Sequence, residues 1–255
     1  MSQPTQPIPF GADLPLWPQA DFAAFGAIEI KPLSRMRKIA AGFLARNWVM
    51  IPHVTHQDEA DVTALEALRQ ELGQRTPPVK LTPLPFIVKA VVAALRDHPH
   101  FNVSFDAVSG NVIYKKYFHI GIAVDTPNGL LVPVMRDCDR KGVPEIANEI
   151  TGLSDKARTK GLAMAEMSGG CFTISSLGNI GGTAFTPIIN APEAAILGVC
   201  RAQWRPVRAA HDAIDWRLSL PLCLSYDHRL INGAEAARFT RSLAERLASP
   251  RTLLD

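Results

Sequence analysis

One histidine in this sequence stands where a general base would have to stand. His228 closes the apolar run WRLSLPLCLSYD, lies between Asp227 and Arg229, and precedes Asn232-Gly233, which opens an amphipathic stretch. A histidine at a strand-to-helix junction is held by rigid elements yet can face a cleft, which suits proton transfer near neutral pH. The other six histidines carry no such pattern. His53 and His56 are three apart and His98 and His100 two apart, with no cysteine or carboxylate partner at metal-ligand spacing. Cys138, Cys171, Cys200 and Cys223 are 33, 29 and 23 residues apart, too far for a zinc knuckle or redox pair, and read as buried free thiols in a reducing compartment. No metal is expected. The glycine-rich GNIGG at 178–182 leads into Pro187 rather than a helix, so it fails the context test for a phosphate loop.

The elements that must position these groups can be read from periodicity. Ser34 caps a helix whose face is Met36, Ile39, Ala40, Phe43 and Leu44. A strand runs from His53 to Ala60. A helix from Asp61 turns Val62, Leu65, Leu68 and Leu72 inward and stops at Gly73. After the loop TPPVK, Thr82 caps and Pro83 starts the apolar helix FIVKAVVAALRDH, which Pro99 ends. Phe101 to Ala107 and Val112 to Tyr117 are short strands, and HIGIAVD-TPNG-LLVPVM reads as strand, turn and strand. A helix spans Pro144 to Lys160. CFTISSLG, AAILGVC and WRLSLPLCLSYD are strand-like, the last alternating Trp216, Leu218, Leu220, Leu222, Leu224 and Tyr226 on one face. Asn232, with Glu235 three residues on, forms a capping box for a final helix with Ala236, Phe239, Leu243 and Leu247 inward. This irregular interleaving predicts an α/β or α+β sandwich around a mixed sheet in one domain.

Composition narrows the functional classes. The 255 residues are 47% hydrophobic and 20% charged with a net charge of +3, a globular balance that argues against a dedicated nucleic-acid binder. The first eighteen residues hold five prolines and one charge, so residues 1–27 are expected to be an extended arm or linker and the folded domain to start near Ile28. No signal peptide is visible, and a cytoplasmic location is expected. The uncharged run from Met167 to Pro192 carries five Gly, two Pro and eight Ser, Thr or Asn, so it is a poor membrane helix.

The stretch SYDHRLINGAEAARF, Ser225 to Phe239, resembles the signature of the dihydrolipoyl acyltransferase cores of 2-oxo acid dehydrogenase complexes: His, three residues, Asp or Asn, then Gly. The segments FTISSLGNIGGTAFTPIINAPEAAILGV, YKKYFHIGIAVDTPNGLLVPVMRD, KLTPLPFIVKA and LSRMRKIA resemble family segments in the same order, so the likeness covers residues 28–255. TISSLGNIGG and SYDHRLING are similar to the pyruvate-type members; most members of the family have Asp at the position of Asn232, while some pyruvate-type members have Asn. The resemblance implies a chloramphenicol-acetyltransferase-like two-layer sandwich, a mixed sheet with helices on one side.

It also implies a chemistry. His228 would be the base that makes a thiolate, and Ser175, in the segment matching TIS, the donor to the oxyanion of the tetrahedral intermediate, reaching the site from a neighbouring subunit of a homotrimer. Asn232 would organise the His228 turn. For coenzyme A or acetyl-CoA as substrate, Arg69 would meet phosphate, Thr82 and Asp125 would line the pantetheine channel, and Ser175 and Ser176 would sit at its thiol end. Read alone, Ser175 is a strand serine, Arg69 a solvated helix residue and Asp125 a turn former. Trimers of the family join into hollow cubic or icosahedral cores, which assemble with other 2-oxo acid dehydrogenase subunits. Two leucines near the C-terminus could fill such a contact, while Asp255 places charge close to it.

Ser154-Asp155-Lys156-Ala157 is similar to the sequence around a lipoylated lysine, but Lys156 falls in an expected helix rather than a hairpin. Neither a lipoyl domain nor a peripheral subunit-binding domain is therefore expected within these residues. Two accounts stay open: a core fragment, or a short subunit that meets a lipoyl domain in trans. Two rivals to lipoamide acetyl transfer also stand, a stand-alone coenzyme A-dependent acyltransferase with another acceptor and a non-catalytic core subunit.

Overall fold

The computed structural model describes residues 18–75 and 81–254. The expected arm up to residue 17, the TPPVK loop and Asp255 lie outside the described residues. The helices are α1 (Arg35–Met50), α2 (Thr63–Arg75), α3 (Leu84–Asp97), α4 (Val143–Thr159) and α5 (Gly233–Ala248). The strands are β1 (His53–Asp61), β2 (Val103–Asp106), β3 (Asn111–Tyr114), β4 (Ile120–Ile122), β5 (Val124–Thr126), β6 (Gly129–Leu131), β7 (Val134–Met135), β8 (Phe172–Ser176), β9 (Ala195–Val199), β10 (Gln203–Arg208) and β11 (Ile214–Asp227). The main sheet runs β1-β11-β9-β8-β4-β7, with β10 on β11. β8 is parallel to β4 and β9, and the other pairs are antiparallel, so the sheet is mixed.

Alternation along the strands makes the sheet two-faced. Phe172 and Ile174 of β8, Leu197 of β9 and Leu222, Leu224 and Tyr226 of β11 join the main core with Ile87, Val91 and Leu95 of α3 and Phe239 and Leu243 of α5. Phe239 stacks on Phe101 at 4.1 Å and meets Phe172 at 5.8 Å, so truncating it to alanine should cost about 3–5 kcal/mol. The opposite face carries Thr173, Ser175, Ile196, Gly198, Cys223 and Ser225. There Ile51, Ile189 and Ile196 form a separate small cluster beneath the chain between β8 and β9. Gly198 is required on that face: a Cβ would lie 2.7 Å from the Phe185 ring that crosses it. Helices on one side and a chain segment on the other give the expected two-layer sandwich.

Five local expectations are corrected. α1 forms behind its Ser34 cap, whose Oγ accepts from Arg37 N, but Met36, Ile39, Phe43 and Leu44 are exposed and only Asn47 of the helix is buried. α2 continues past Gly73 to Arg75, because an internal glycine costs only about 1 kcal/mol. Pro83, not Thr82, occupies the cap position of α3, with no side-chain bond to the first turn, and Thr82 is exposed outside it. The HIGIAVD and LLVPVM strands each break in two, the outer halves pairing as the β5-β6 hairpin. β10 is an added strand; the outer end of β11 it pairs with, residues 214–217, is largely exposed, leaving Trp216 57% exposed rather than in the core. All four cysteines are free and buried. Among the described residues no helix is long and apolar enough to cross a membrane.

Candidate active site

The His228 turn is built by its neighbours. Leu230 N and Ile231 N donate to Asp227 O, and His228 N donates to Pro52 O at 3.1 Å. The Asp227 carboxylate, 3% exposed by residue, accepts from the Arg229 backbone N–H and guanidinium, and that guanidinium lies 4.8 Å over the Phe105 ring. Asp227 is thus committed to Arg229 and does not orient His228. The imidazole stays exposed, 5.8 Å from the Tyr226 ring. Asn232 closes the capping box of α5: its Oδ1 accepts from Glu235 N at 3.0 Å and its N–H donates to the Glu235 carboxylate at 2.8 Å. A cleft of about 560 Å³ opens beside the turn, lined by Trp48, Met50, Pro52, His53 and Arg229 among others. Among the described residues no group of three His, Cys, Asp or Glu stands ready for a metal ion.

Ser175 is elsewhere in the chain. It pairs with Gly198, whereas the register of β11 against β9, Tyr226 opposite Ala195, carries His228 to the level of Glu193. At about 3.3 Å per residue and 4.8 Å per strand, the two lie about 16 Å apart along the strands and about 10 Å across them, roughly 19 Å in all. No side chain spans that gap. Ser175 points to the face beneath the 177–193 segment, and Ser176, on the other, accepts from Gly178 N at 3.5 Å.

The remaining candidates gather away from His228. Ala123 N donates to Ile174 O, which brings Asp125, exposed on the β5-β6 hairpin, to the Ser175 end of the sheet. Val62 N donates to Leu218 O, fastening the start of α2 at that same end. Arg69 on α2 is forked onto Glu66 at 2.6 and 2.8 Å, and its Nη1 donates to Leu81 O, next to Thr82. The Arg69 hydrogen bonds hold the Glu66 carboxyl below its usual range. Arg69 is therefore half-buried and partly committed rather than freely solvated, with two guanidinium N–H groups left to meet an anion.

Two residues escaped sequence reasoning. Glu193, level with His228 in the sheet, is buried; Asn190 donates to its Oε1 at 3.3 Å, and burial pushes its carboxyl up to about 7. His53 accepts from Ile189 N through Nε2 at 3.0 Å and contacts Ile51 O through Nδ1 at 2.8 Å. Neither has a local motif. Lys156 lies in α4 and pairs with Glu166 at 2.6 Å, consistent with rejecting it as a lipoylation site.

The family described as 2-oxoacid dehydrogenases acyltransferase (catalytic domain) matches residues 26–254. The dihydrolipoyllysine-residue acetyltransferase component of pyruvate dehydrogenase complex from Cupriavidus necator is 54% identical over 240 residues, 93% of this chain and 43% of that protein. The same component from Pseudomonas aeruginosa is 52% identical over 246 residues, 96% of this chain and 45% of that protein. The chain thus spans less than half the length of these curated relatives. A solved structure of Azotobacter vinelandii dihydrolipoamide acetyltransferase, from an investigation of one serine, one histidine and one asparagine in its catalytic mechanism, superposes with a TM-score of 0.90 at 51% identity, covering 95% of this chain and 100% of that one. There the asparagine follows the histidine by four residues, as Asn232 follows His228, and the serine precedes it by 52; here Ser176 precedes His228 by 52 and Ser175 by 53. Chloramphenicol acetyltransferase, at 15% identity and a TM-score of 0.55, shares the fold. With the fold, the His228 turn and the match over 26–254 in agreement, the chain belongs to the 2-oxoacid dehydrogenase acyltransferase catalytic-domain family.

Proposed function

We propose that residues 28–255, following an arm at 1–27, are the catalytic core of a lipoamide acetyltransferase of the pyruvate dehydrogenase type, exchanging acetyl between dihydrolipoamide and coenzyme A. The observation that carries this is the His228-Asn232 turn, set at the family spacing beside an open cleft. In the forward direction His228 takes the proton from the coenzyme A thiol, and the thiolate attacks the thioester carbonyl of acetyl-dihydrolipoamide. The Ser175 hydroxyl donates to the oxyanion; the tetrahedral adduct collapses; the C–S bond to the lipoyl group breaks and the His228 imidazolium returns its proton to the departing sulfur. Both substrates are bound at once. Arg69, Thr82 and Asp125 are the candidate coenzyme A contacts, with Ser176 near the thiol end.

The roughly 19 Å between Ser175 and His228 in one chain supports a site shared between copies, hence a homotrimer with three equivalent interfaces. The unpacked apolar side of α1 supports assembly as well. We place the protein in the cytoplasm, in a complex whose lipoyl domain delivers the acetyl group, and extend the assembly to a cubic core on the likeness to the solved cubic core of a pyruvate dehydrogenase multienzyme complex, 52% identical with a TM-score of 0.90 over 95% of this chain and all of that one. The likeness of the TIS segment favours Ser175, while the 52-residue spacing in the Azotobacter vinelandii protein counts to Ser176, so both serines are tested. Turnover with acetyl-CoA and free dihydrolipoamide tests the reading: His228→Ala should lose about 10²–10⁴-fold and Ser175→Ala about 10²–10³-fold with coenzyme A binding little changed, while Ser176→Ala keeps most activity. A wild-type protein without turnover, or a His228→Ala variant above half of normal, would overturn it.

A further inference from the structure

His53 begins the edge strand of the sheet, yet both of its ring nitrogens are spent on backbone. Nε2 can accept the Ile189 N–H at 3.0 Å only if it is unprotonated, so the neutral ring carries its hydrogen on Nδ1, where it donates to Ile51 O at 2.8 Å. The same short segment supplies Pro52 O, the acceptor for His228 N. From the other side, Asn47 of α1 donates through Nδ2 to Ile189 O at 3.0 Å, and Arg46 holds the Asn47 Oδ1. Ile189 is therefore gripped through its N–H by His53 and through its carbonyl by Asn47. One residue on, Asn190 is tied to Thr173 on β8 and to Glu193 in the turn before β9. Ile51, Ile189 and Ile196 close the apolar space under this junction, and the Trp48 ring lies 5.5 Å from the His53 ring. Around it stand Arg229, on the same cleft, and Asp227, opposite His53 in the β1-β11 register.

We infer that His53 is a positioning residue for His228: as a neutral ring with hydrogen on Nδ1 it joins the 187–192 segment to residues 51–53, and the Pro52 carbonyl passes that placement to the His228 backbone. The inference rests on the proposed acetyltransfer for its kinetic consequence, but not for its structural one. A base displaced by a fraction of an ångström from its thiol loses rate while its substrate still binds, because positioning acts on the transition state more than on the ground state. His53 is thus expected to act on kcat and not on KM.

Three substitutions separate positioning from mere packing. His53→Gln places an amide oxygen near the Nε2 position and can still accept from Ile189 N; His53→Asn reaches only as far as Nδ1; His53→Phe keeps the ring and loses both bonds. Hydrogen exchange of the full chain, followed by mass spectrometry at single-residue resolution, reads the clamp without any substrate. Expected is exchange at Ile189 and at His228 at least about tenfold faster in His53→Phe and His53→Asn, and near wild type in His53→Gln. In turnover with acetyl-CoA and dihydrolipoamide, kcat should fall about 10–10²-fold in Phe and Asn with KM within about twofold, and Gln should recover most of it. Wild-type exchange at His228 in His53→Phe overturns the inference whatever the activity. So does a change confined to KM, or a loss that Gln does not recover. Altered exchange with no turnover even by wild type would sink the acetyltransferase reading and leave the clamp standing.

Discussion

Two dead variants should make a live enzyme. The register of β8, β9 and β11 leaves Ser175 and His228 roughly 19 Å apart within one chain, and their side chains bridge only a fraction of that, so the proposed mechanism requires the two to meet across an interface. Consider subunits carrying His228→Ala co-expressed with subunits carrying Ser175→Ala, each with a different affinity tag, and purified over both tags. With the purification done on free trimers, separated from any larger core, every trimer retained is mixed, two of one kind and one of the other. Going round such a ring, one interface of the three joins an intact His228 to an intact Ser175. Activity should therefore return to about a third of the wild-type value per trimer, against parents each reduced about 10²-fold or more. Acetyl transfer from acetyl-CoA to dihydrolipoamide, followed as thioester absorbance, is the assay. If the doubly tagged protein stays at the parental level while its mass confirms a mixed trimer, the two residues act within one chain and the separation read from the strand register is wrong.

Other substitutions probe single features. Asn232→Asp should keep activity within about threefold and leave thermal stability little changed, because either side chain accepts from Glu235 N at the helix start; a collapse of turnover with intact folding would mean the neutral amide itself is needed. Glu193 gives a pH signature: buried, its carboxyl rises from 4.5 to about 7. Below about 4.5 it is neutral in both folded and unfolded chains. Between about 4.5 and 7 the unfolded chain releases the proton that the folded chain keeps, so stability falls with rising pH, by on the order of 3 kcal/mol across that window, and stays lower above it. Glu193→Gln should flatten that fall in urea unfolding measured from pH 4.5 to 8; an unchanged slope would show that Glu193 is ionised throughout.

Much of this protein is written locally. The α5 capping box needs only residues three apart, and the apolar positions of α5 recur every three or four residues, so Asn232, Glu235, Phe239 and Leu243 could be placed before any tertiary contact was known. The alternation of β11 from Leu220 to Tyr226 is of the same kind, and it delivers His228 to the end of a rigid strand. The family pattern around His228 is legible for that reason: all its parts lie within a dozen residues.

What the sequence alone left undecided involves chain segments far apart. Periodicity made α1 a helix but not what its apolar side meets, and that side stays exposed among the described residues. β10, six residues long, half of them polar and interrupted by Pro206, becomes a strand because β11 offers it an edge. The bond from Ile189 to His53 spans 136 residues, and neither residue has a sequence signal for it. The separation of Ser175 from His228, which makes the proposed site a property of two subunits, exists only once β9 is laid between their strands. Local geometry fixes what a segment becomes, because caps and side-chain periods act over a few residues. Which segments then face one another is set by the burial of whole faces and the pairing of backbone across the sheet, and those energies appear only when the chain has closed.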